Sequence, residues 1–306
     1  MMWARLAAAS ALVIAASAQA QPPYQPSTQR PDFATVQIKT TDLGNRTYML
    51  EGEGGNIVVA VADDGVTMVD DQFEPLHDKI KAAVAKLTPQ PIRYLVLTHF
   101  HRDHSGGDEL FAKDGAIIVA HENAKKRLAE GTQNGLTGNI MEPAPAAALP
   151  KQTYKDAMTL RLKGRTAELK HVENVHTDGD TYIYFPEANV LATGDIVTTG
   201  RYPNIDYVYG GGIDGMIRGV DVVLGVAKDN TKIVPGHGPL GTKAQVKEYR
   251  QVLVDARDRI AKLKAAGRSE EQAVAAKPMA DYDAKLHLNA QQSSNFVRVV
   301  YRSLKN

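Results

Sequence analysis

Three histidines and one aspartate fall within six residues, at positions 99–104, directly after the largely apolar residues 92–97. Because side chains alternate along an extended segment, His99 and His101 are expected to point the same way. Asp103 and His104 follow where the chain must leave the strand. Neutral imidazole and carboxylate are ligands that suit zinc, and no thiolate is required. The spacing therefore predicts a metal site at the end of a buried strand.

The overall composition limits the classes of function. The chain has 306 residues, enough for one large domain or two small ones, and 43% of them are hydrophobic. Lysine plus arginine number 36 and aspartate plus glutamate 35, which argues against a nucleic-acid or membrane-surface role driven by charge. There are no cysteines, so disulfides, thiolate metal sites and cysteine nucleophiles are excluded. The expected partner is a small-molecule substrate, and the oligomeric state is left open.

Residues 1–20 have the pattern of a cleavable signal peptide for export. Arg5 supplies the positive start, residues 6–16 are apolar, and residues 18–20 form a small-x-small cleavage site. The apolar stretch is short for a bilayer span, and an uncleaved anchor is the alternative. Cleavage would leave no membrane anchor and would place the protein in the periplasm or outside the cell. Residues 21–32, rich in proline, glutamine and serine, are predicted to form a flexible leader.

The first half of the chain has a pattern of strands followed by helices. Strands are predicted at residues 36–39, 46–50, 56–61, 66–69, 92–97 and 116–120. Helices are predicted at residues 74–87, from an N-cap at Ser105 through Phe111, and at residues 121–130. Residues 131–150 hold three prolines and three glycines, and are predicted to be a functional cover or a mobile segment.

The second half repeats this order. Strands are predicted at residues 160–162, 167–171, 181–185, 190–193 and 232–234. Helices are predicted from an N-cap at Asp214 to Ala227, and at residues 243–265, 269–275 and 290–304. Two such halves predict an α/β protein in which two facing, mostly antiparallel sheets carry helices on their outer faces, a four-layer αβ/βα sandwich. Residues 33–306 are expected to form this one domain, with the C-terminal helices included.

Three more candidate ligands lie at predicted strand ends. His176 lies in the polar turn 174–180, Asp195 follows a strand in a Gly-Asp pair, and His237 lies in the Gly- and Pro-rich segment 234–239. Each alone is a weak signal, because a polar residue at a strand end is usually an ordinary loop residue. The other histidines are predicted to be two surface residues, a helix start and a strand end: His77, His287, His121 and His171.

Together these motifs resemble the metallo-β-lactamase superfamily, and the resemblance extends from near Phe33 to near Leu253. It implies a binuclear zinc site, although iron or manganese also suit nitrogen and oxygen ligands. The implied ligands are His99, His101 and His176 for one zinc, Asp103, His104 and His237 for the other, and Asp195 as a bridge. Asp70, at the end of strand 66–69, would orient a ligand histidine. Asp103 would also be catalytic, orienting a metal-bound hydroxide and passing a proton to the leaving group.

The resemblance leaves several substrate classes open. Residues 176–191 and 234–238 are similar to the largest subclass of true metallo-β-lactamases. That subclass has cysteine where Asp195 stands and often lysine where Thr198 stands, and most of its members lack a histidine at His104. In these positions the chain is more similar to lactonases, glyoxalase II and ribonuclease Z. Arg201 could replace the substrate-binding lysine, and Tyr202 could line the pocket.

The sequence thus predicts an exported zinc hydrolase that opens a carbonyl bond in a cyclic amide or ester, with β-lactams and lactones as candidate substrates. Export favours a β-lactam, since that substrate is met in the periplasm. Asp195 favours a lactone, ester or phosphodiester. The alternatives are a thioesterase or phosphodiesterase of the same superfamily, and a catalytically inactive metal-binding protein.

Overall fold

The computed structural model describes residues 32–305 of the chain. The predicted signal peptide at residues 1–20, and all but the last residue of the predicted leader, lie outside this range. Among the described residues, none of the helices is both long enough and apolar enough to cross a membrane.

Fourteen strands and nine α-helices make up the described part of the chain. The strands are β1 Lys39–Asp42, β2 Thr47–Glu51, β3 Ile57–Val61, β4 Val66–Val69, β5 Ile92–Val96, β6 Ile117–His121, β7 Thr132–Gln133, β8 Ile140–Met141, β9 Gln152–Tyr154, β10 Ala157–Leu162, β11 Arg165–His171, β12 Thr181–Phe185, β13 Val190–Ala192 and β14 Lys232–Val234. The helices are α1 His77–Ala85, α2 Arg102–Ser105, α3 Asp108–Lys113, α4 Glu122–Glu130, α5 Ile213–Val226, α6 Lys243–Ala265, α7 Glu270–Ala275, α8 Ala280–Leu286 and α9 Ala290–Ser303.

The strands form two large sheets and one hairpin. The first sheet has the order β1-β2-β3-β4-β5-β6-β9, and the second has the order β10-β11-β12-β13-β14. Pairings are antiparallel from β1 to β4 and from β10 to β13, and parallel from β4 to β9 and between β13 and β14. The small hairpin β7-β8 lies within residues 131–150, the segment predicted to be a functional cover or a mobile segment.

Three apolar cores separate four layers of structure. In β3 every residue is buried, and alternate side chains enter different cores, as expected for a strand covered on both faces. Val59 packs in the core that includes Ile80 of α1, whereas Val58 packs between the sheets with Phe185 of β12. The third core joins the outer face of the second sheet to α5, α6 and α9. The predicted four-layer αβ/βα sandwich is confirmed.

Several local predictions were wrong. Ser105 does not begin a helix but ends α2, and its Oγ donates to the carbonyl oxygens of Phe100 and His101. Asp214 lies in the first turn of α5, whose N-cap is Gly212. His77 is buried rather than on the surface: its ring packs edge to face against Phe111, and its ring nitrogens bond Asp78 and Asp114. His121 is the N-cap of α4, as predicted, and its Nδ1 accepts from the backbone N–H of Asn123.

Candidate metal centre

The predicted ligands meet at one edge of the sandwich, where strands end. His99, His101, Asp103 and His104 follow β5, His176 lies between β11 and β12, Asp195 follows β13, and His237 follows β14. β13 and β14 are parallel, so their carboxyl ends lie at the same edge of the second sheet. β4 and β5 are parallel as well, which brings Asp70 to the same edge as the histidine run. Polar side chains that are far apart in sequence thereby converge.

Three imidazole nitrogens face a common point. Nδ1 of His101 lies 3.1 Å from Nε2 of His99 and 2.9 Å from Nε2 of His176. The three nitrogens lie within 4.8 Å of one another, close enough to hold one metal ion. His99 and His176 are fully buried, so their orientation is fixed by packing.

A second group faces a point beside the first. Nε2 of His104 lies 3.3 Å from Nε2 of His237, and Oδ2 of Asp103 lies 3.2 Å from the same nitrogen of His237. Oδ2 of Asp103 and Nε2 of His104 are 3.8 Å apart. This group also meets the distance requirement for a metal site.

Asp195 lies between the two groups. Its Oδ1 is 3.4 Å from Nε2 of both His104 and His237, and its Oδ2 is 3.5 Å from Nε2 of His176. Oδ1 is buried and has no hydrogen-bond partner among the residues that the structure describes. Ring nitrogens that point at one another around an unpartnered buried carboxylate oxygen fit cations better than they fit a hydrogen-bond network. The donor set therefore fits metal cations, and Asp195 lies between its two groups of ligands.

Asp70 holds the ring of His104 from behind. Its Oδ2 lies 2.8 Å from Nδ1 of His104 and accepts from Oγ1 of Thr98, while its Oδ1 accepts from the backbone N–H of Thr98. With Nδ1 donating to Asp70, the lone pair of Nε2 is directed at the candidate metal position. The backbone of Asp70 is left-handed, with φ of 60°, a strained conformation that is typical of functional sites.

Three further partners of the ligand rings were not predicted from the sequence. Oδ2 of Asp206 lies 3.0 Å from Nε2 of His101, and the carbonyl oxygen of Asn204 lies 2.8 Å from Nδ1 of His176. Oγ1 of Thr98 lies 3.1 Å from Nδ1 of His99. Asp206 is 105 residues from His101 along the chain, so no local pattern could have paired them.

The electrostatics of the centre favour cations. Burial lowers the pKa of His99 well below its usual range, and the neighbouring His104 and His101 lower it further, which leaves the neutral imidazole that a metal requires. Burial opposes charge on Asp195, but the rings of His237 and His104 keep the pKa of that carboxyl well below its usual range. For His237, burial is outweighed by Asp195 and Asp103, which raise its pKa to about 9. A bound metal would replace the proton that these carboxylates attract.

Comparison with known proteins agrees with this geometry. The family model for the metallo-beta-lactamase superfamily matches residues 41–241. The chain belongs to this superfamily. Its members are metal-dependent hydrolases.

The relatives within the metallo-β-lactamase superfamily are distant. The chain is 29% identical over 202 residues to the "2,4-dinitroanisole O-demethylase subunit alpha" of Nocardioides sp. (strain JS1661), covering 64% of this chain and 53% of that protein. It is 25% identical over 239 residues to the "Linear primary-alkylsulfatase" of Pseudomonas sp. (strain ATCC 19151), covering 64% of this chain and 44% of that protein. The chain thus spans about half the length of these two curated relatives.

Solved structures of metallo-β-lactamases share the fold. A metallo-beta-lactamase from Pontibacter korlensis superposes with a TM-score of 0.61 at 18% sequence identity, covering 72% of this chain and 100% of that one. At this identity the likeness concerns the fold alone.

A cavity of about 790 Å³, called here the metal-centre cavity, opens beside the ligands of this superfamily member. His101, Asp103, Asp195 and His237 line it. Arg201 and Tyr202, both expected near the substrate, line it as well. Arg201 is exposed, whereas the hydroxyl of Tyr202 is directed to Asp283 of α8, 2.8 Å away, and its ring stacks on Phe296 of α9. No sequence pattern predicted the residues that α9 and the β7-β8 hairpin contribute to this cavity.

Proposed function

We propose that the protein is an exported, zinc-dependent hydrolase that opens a carbonyl bond in a cyclic amide or ester, such as a β-lactam or a lactone. The observation that carries this proposal is that two three-ligand groups lie beside the metal-centre cavity with Asp195 between them. His99, His101 and His176 would hold one ion, and Asp103, His104 and His237 the other. When bound, two zinc ions acidify a water molecule and polarise the attacked carbonyl group.

Asp103 is suited to move a proton during the reaction. Its side chain is 31% exposed, more than those of Asp195 and His237, and it lines the cavity. Burial opposes ionisation of Asp103, but His104 and His237 hold the pKa of this carboxyl well below its usual range. As a carboxylate, it would orient the attacking water through a hydrogen bond, accept its proton and pass that proton to the leaving atom.

The substrate class rests on the residues around the centre. Asp195 stands where cysteine stands in the largest lactamase subclass, which supports a lactone or ester, while the signal-like residues 1–20 support export and a β-lactam met in the periplasm. Arg201 at the mouth of the cavity would hold an anionic group of the substrate. The near balance of charges supports a small-molecule partner and opposes nucleic acid.

The test is a substrate panel assayed with zinc-loaded protein. Nitrocefin, an acyl-homoserine lactone and bis-p-nitrophenyl phosphate separate the lactamase, lactonase and phosphodiesterase alternatives. We expect turnover of one of the first two, with about two zinc ions per chain. Turnover of the phosphate alone would favour the phosphodiesterase, and two zinc ions without any turnover would favour the inactive metal-binding protein.

A variant tests the part of Asp103. In Asp103→Asn we expect turnover to fall by about a hundredfold or more, because general acid–base catalysis contributes on that order. Zinc content measured on the same sample separates loss of the proton carrier from loss of metal. The matched control is Asp221→Asn. This substitution also removes a carboxylate, but Asp221 is exposed, pairs with Arg250 and does not line the cavity. Unchanged turnover in Asp103→Asn would contradict the proposal.

A further inference from the structure

One side of the metal-centre cavity is built by the C-terminal helix α9, which lies outside the residues 41–241 that the superfamily model matches. Gln292, Asn295, Phe296 and Val299 of this helix line the cavity. Their spacing of three, four and seven residues places them on one face of the helix. The cavity wall is therefore a continuous helical surface rather than a single chance contact.

α9 is held firmly in this position. Asn289 and Gln292 form a capping box at its N-terminus, in which each side chain accepts from the other residue's backbone N–H. The ring of Phe296 stacks on that of Tyr202, with 4.2 Å between the centroids. Near the other end of the helix, Arg302 donates to both carboxylate oxygens of Glu270 in α7 at 2.8 Å.

The same helix fixes the β7-β8 hairpin across the cavity. The carbonyl oxygen of Gly135, in the turn of the hairpin, accepts from the hydroxyl of Tyr207 at 2.6 Å and from Arg302 at 3.1 Å. Asn134, Leu136 and Thr137 of this turn line the cavity. Residues 131–150, predicted to be a cover or a mobile segment, thus supply a turn that α9 holds against the cavity.

The polar groups of this wall are mainly hydrogen-bond donors. Oδ1 of Asn134 accepts from the backbone N–H groups of Leu136 and Thr137, Oε1 of Gln292 is used in the capping box, and Oδ1 of Asn295 accepts from Gln291. Each amide oxygen therefore already accepts at least one hydrogen bond from the protein. Within residues 32–305 the NH2 groups of these three side chains have no hydrogen-bond acceptor. They remain free to bind a carbonyl oxygen in the cavity.

The remaining side chains of this wall are uncharged, and all but that of Thr137 are apolar. Leu136, Leu288, Phe296 and Val299 contribute its hydrocarbon surface. Among the described lining residues, Arg201 is the single lysine or arginine, whereas Glu51 and Glu53 add negative charge. Beyond the one anionic group that Arg201 would hold, such a cavity disfavours further negative charge on the substrate. It favours a hydrocarbon chain that carries a neutral hydrogen-bond acceptor.

We propose that α9 and the β7-β8 hairpin form a specificity wall that binds the part of the substrate remote from the attacked bond, and that this part is an aliphatic chain carrying a neutral carbonyl acceptor such as an amide. The specificity wall comprises Asn134, Leu136 and Thr137 of the hairpin turn, Gln292, Asn295, Phe296 and Val299 of α9, and Leu288, which lies just before α9. This inference rests on the proposed hydrolase function, because it takes the metal centre as the place where the other end of the substrate reacts.

Three hydroxamates that differ only in their remote part test the inference by binding rather than by turnover. Acetohydroxamate carries the metal-binding group alone, octanohydroxamate adds an aliphatic chain, and 8-acetamido-octanohydroxamate adds a terminal amide. Their affinities for the zinc-loaded protein are measured by calorimetry. We expect the chain to tighten binding by about tenfold or more, through burial of its methylenes. The amide should add about five- to tenfold, the usual contribution of a hydrogen bond.

Three variants that lack an NH2 donor and one control locate the effect. Asn295→Asp and Gln292→Glu keep the oxygen that the protein uses internally and remove the NH2 donor, so each should lessen the gain from the amide while leaving acetohydroxamate binding unchanged. Asn295→Leu removes the donor without adding charge and should do the same. Ser294→Ala is the control, because Ser294 lies on α9, does not line the cavity and donates to Ala290. It should bind all three probes as the wild type does.

The outcomes separate the two proposals. If acetohydroxamate does not bind the zinc-treated protein, the metal centre and the hydrolase function fail, and the specificity wall fails with them. If acetohydroxamate binds but the chain and the amide bring no gain, the specificity wall alone is overturned. A gain from the amide that survives in all three donor variants would also overturn it.

Discussion

The substitution Asp70→Asn replaces one oxygen of the carboxylate that holds His104 with an NH2 group, and we expect it to remove one of the two proposed metal ions. Asp70 is 1% exposed and accepts three hydrogen bonds, two from Thr98 and one from Nδ1 of His104, each at 2.8 Å. Asparagine tolerates the left-handed backbone of this position, so the fold should persist. Its carbonyl oxygen can still accept from the backbone N–H of Thr98, which turns the NH2 group towards His104.

An NH2 group beside His104 reverses the hydrogen bond. Nδ1 must then accept, so the ring proton moves to Nε2, the atom that faces Asp103, Asp195 and His237. A protonated Nε2 cannot bind a metal. Loss of such an orienting partner typically lowers metal affinity by about 10- to 100-fold. This corresponds to about 1.4–2.7 kcal/mol of binding free energy.

The assay is zinc stoichiometry after dialysis, followed by competition with a chromogenic chelator. We expect about two zinc ions in the wild type and about one in Asp70→Asn, with the remaining ion at wild-type affinity. Asp206→Asn removes the carboxylate that holds Nε2 of His101, so it should weaken the site of His99, His101 and His176 instead. Asp221→Asn, on the exposed side of α5, should leave both sites intact. Two tightly bound ions in Asp70→Asn would refute the role assigned to this carboxylate.

Three further substitutions probe packing and buried charge. Gly55→Ala would place a Cβ 2.2 Å from Cε1 of the buried His104 ring, so we expect zinc affinity to fall by about tenfold or more in the same competition assay. Gly225 lies in α5, and a Cβ added there would have no other atom within 4 Å. Because alanine loses less backbone entropy than glycine in a helix, Gly225→Ala should raise the free energy of unfolding in urea by about 0.5–1 kcal/mol. Burial and Asp71 raise the pKa of Asp108 well above its usual range, and burial raises that of Asp71 to about 8. The folded state therefore retains a proton that the unfolded chain loses above about pH 4, so wild-type stability should fall towards pH 8 by up to about 1.4 kcal/mol per pH unit. In Asp108→Asn we expect a smaller fall, measured as the midpoint of urea unfolding at pH 5, 6.5 and 8. A variant whose midpoint falls with pH as steeply as that of the wild type would contradict this assignment of the retained proton.

Short-range patterns explain which predictions succeeded. The strands around the histidine run and the long helix α6 follow from hydrophobic periodicity, and they were predicted close to their observed bounds. The prediction that Ser105 begins a helix failed because its hydroxyl is used by the backbone of the tight turn that carries the ligands. His77 was placed on the surface because a sequence does not show that Asp114, 37 residues away, accepts a hydrogen bond from its ring.

By itself, the sequence determined the candidate ligands, the superfamily and the order of the layers, because a ligand run at a strand end and alternating apolar residues are local properties of the chain. Only the tertiary structure decided which ring nitrogens face each other, that Asp206 holds His101, and that α9 and the hairpin turn at Gly135 border the cavity. These contacts join residues that are up to 167 positions apart. Their geometry is set by how sheets and helices pack across three cores, which no short stretch of sequence encodes.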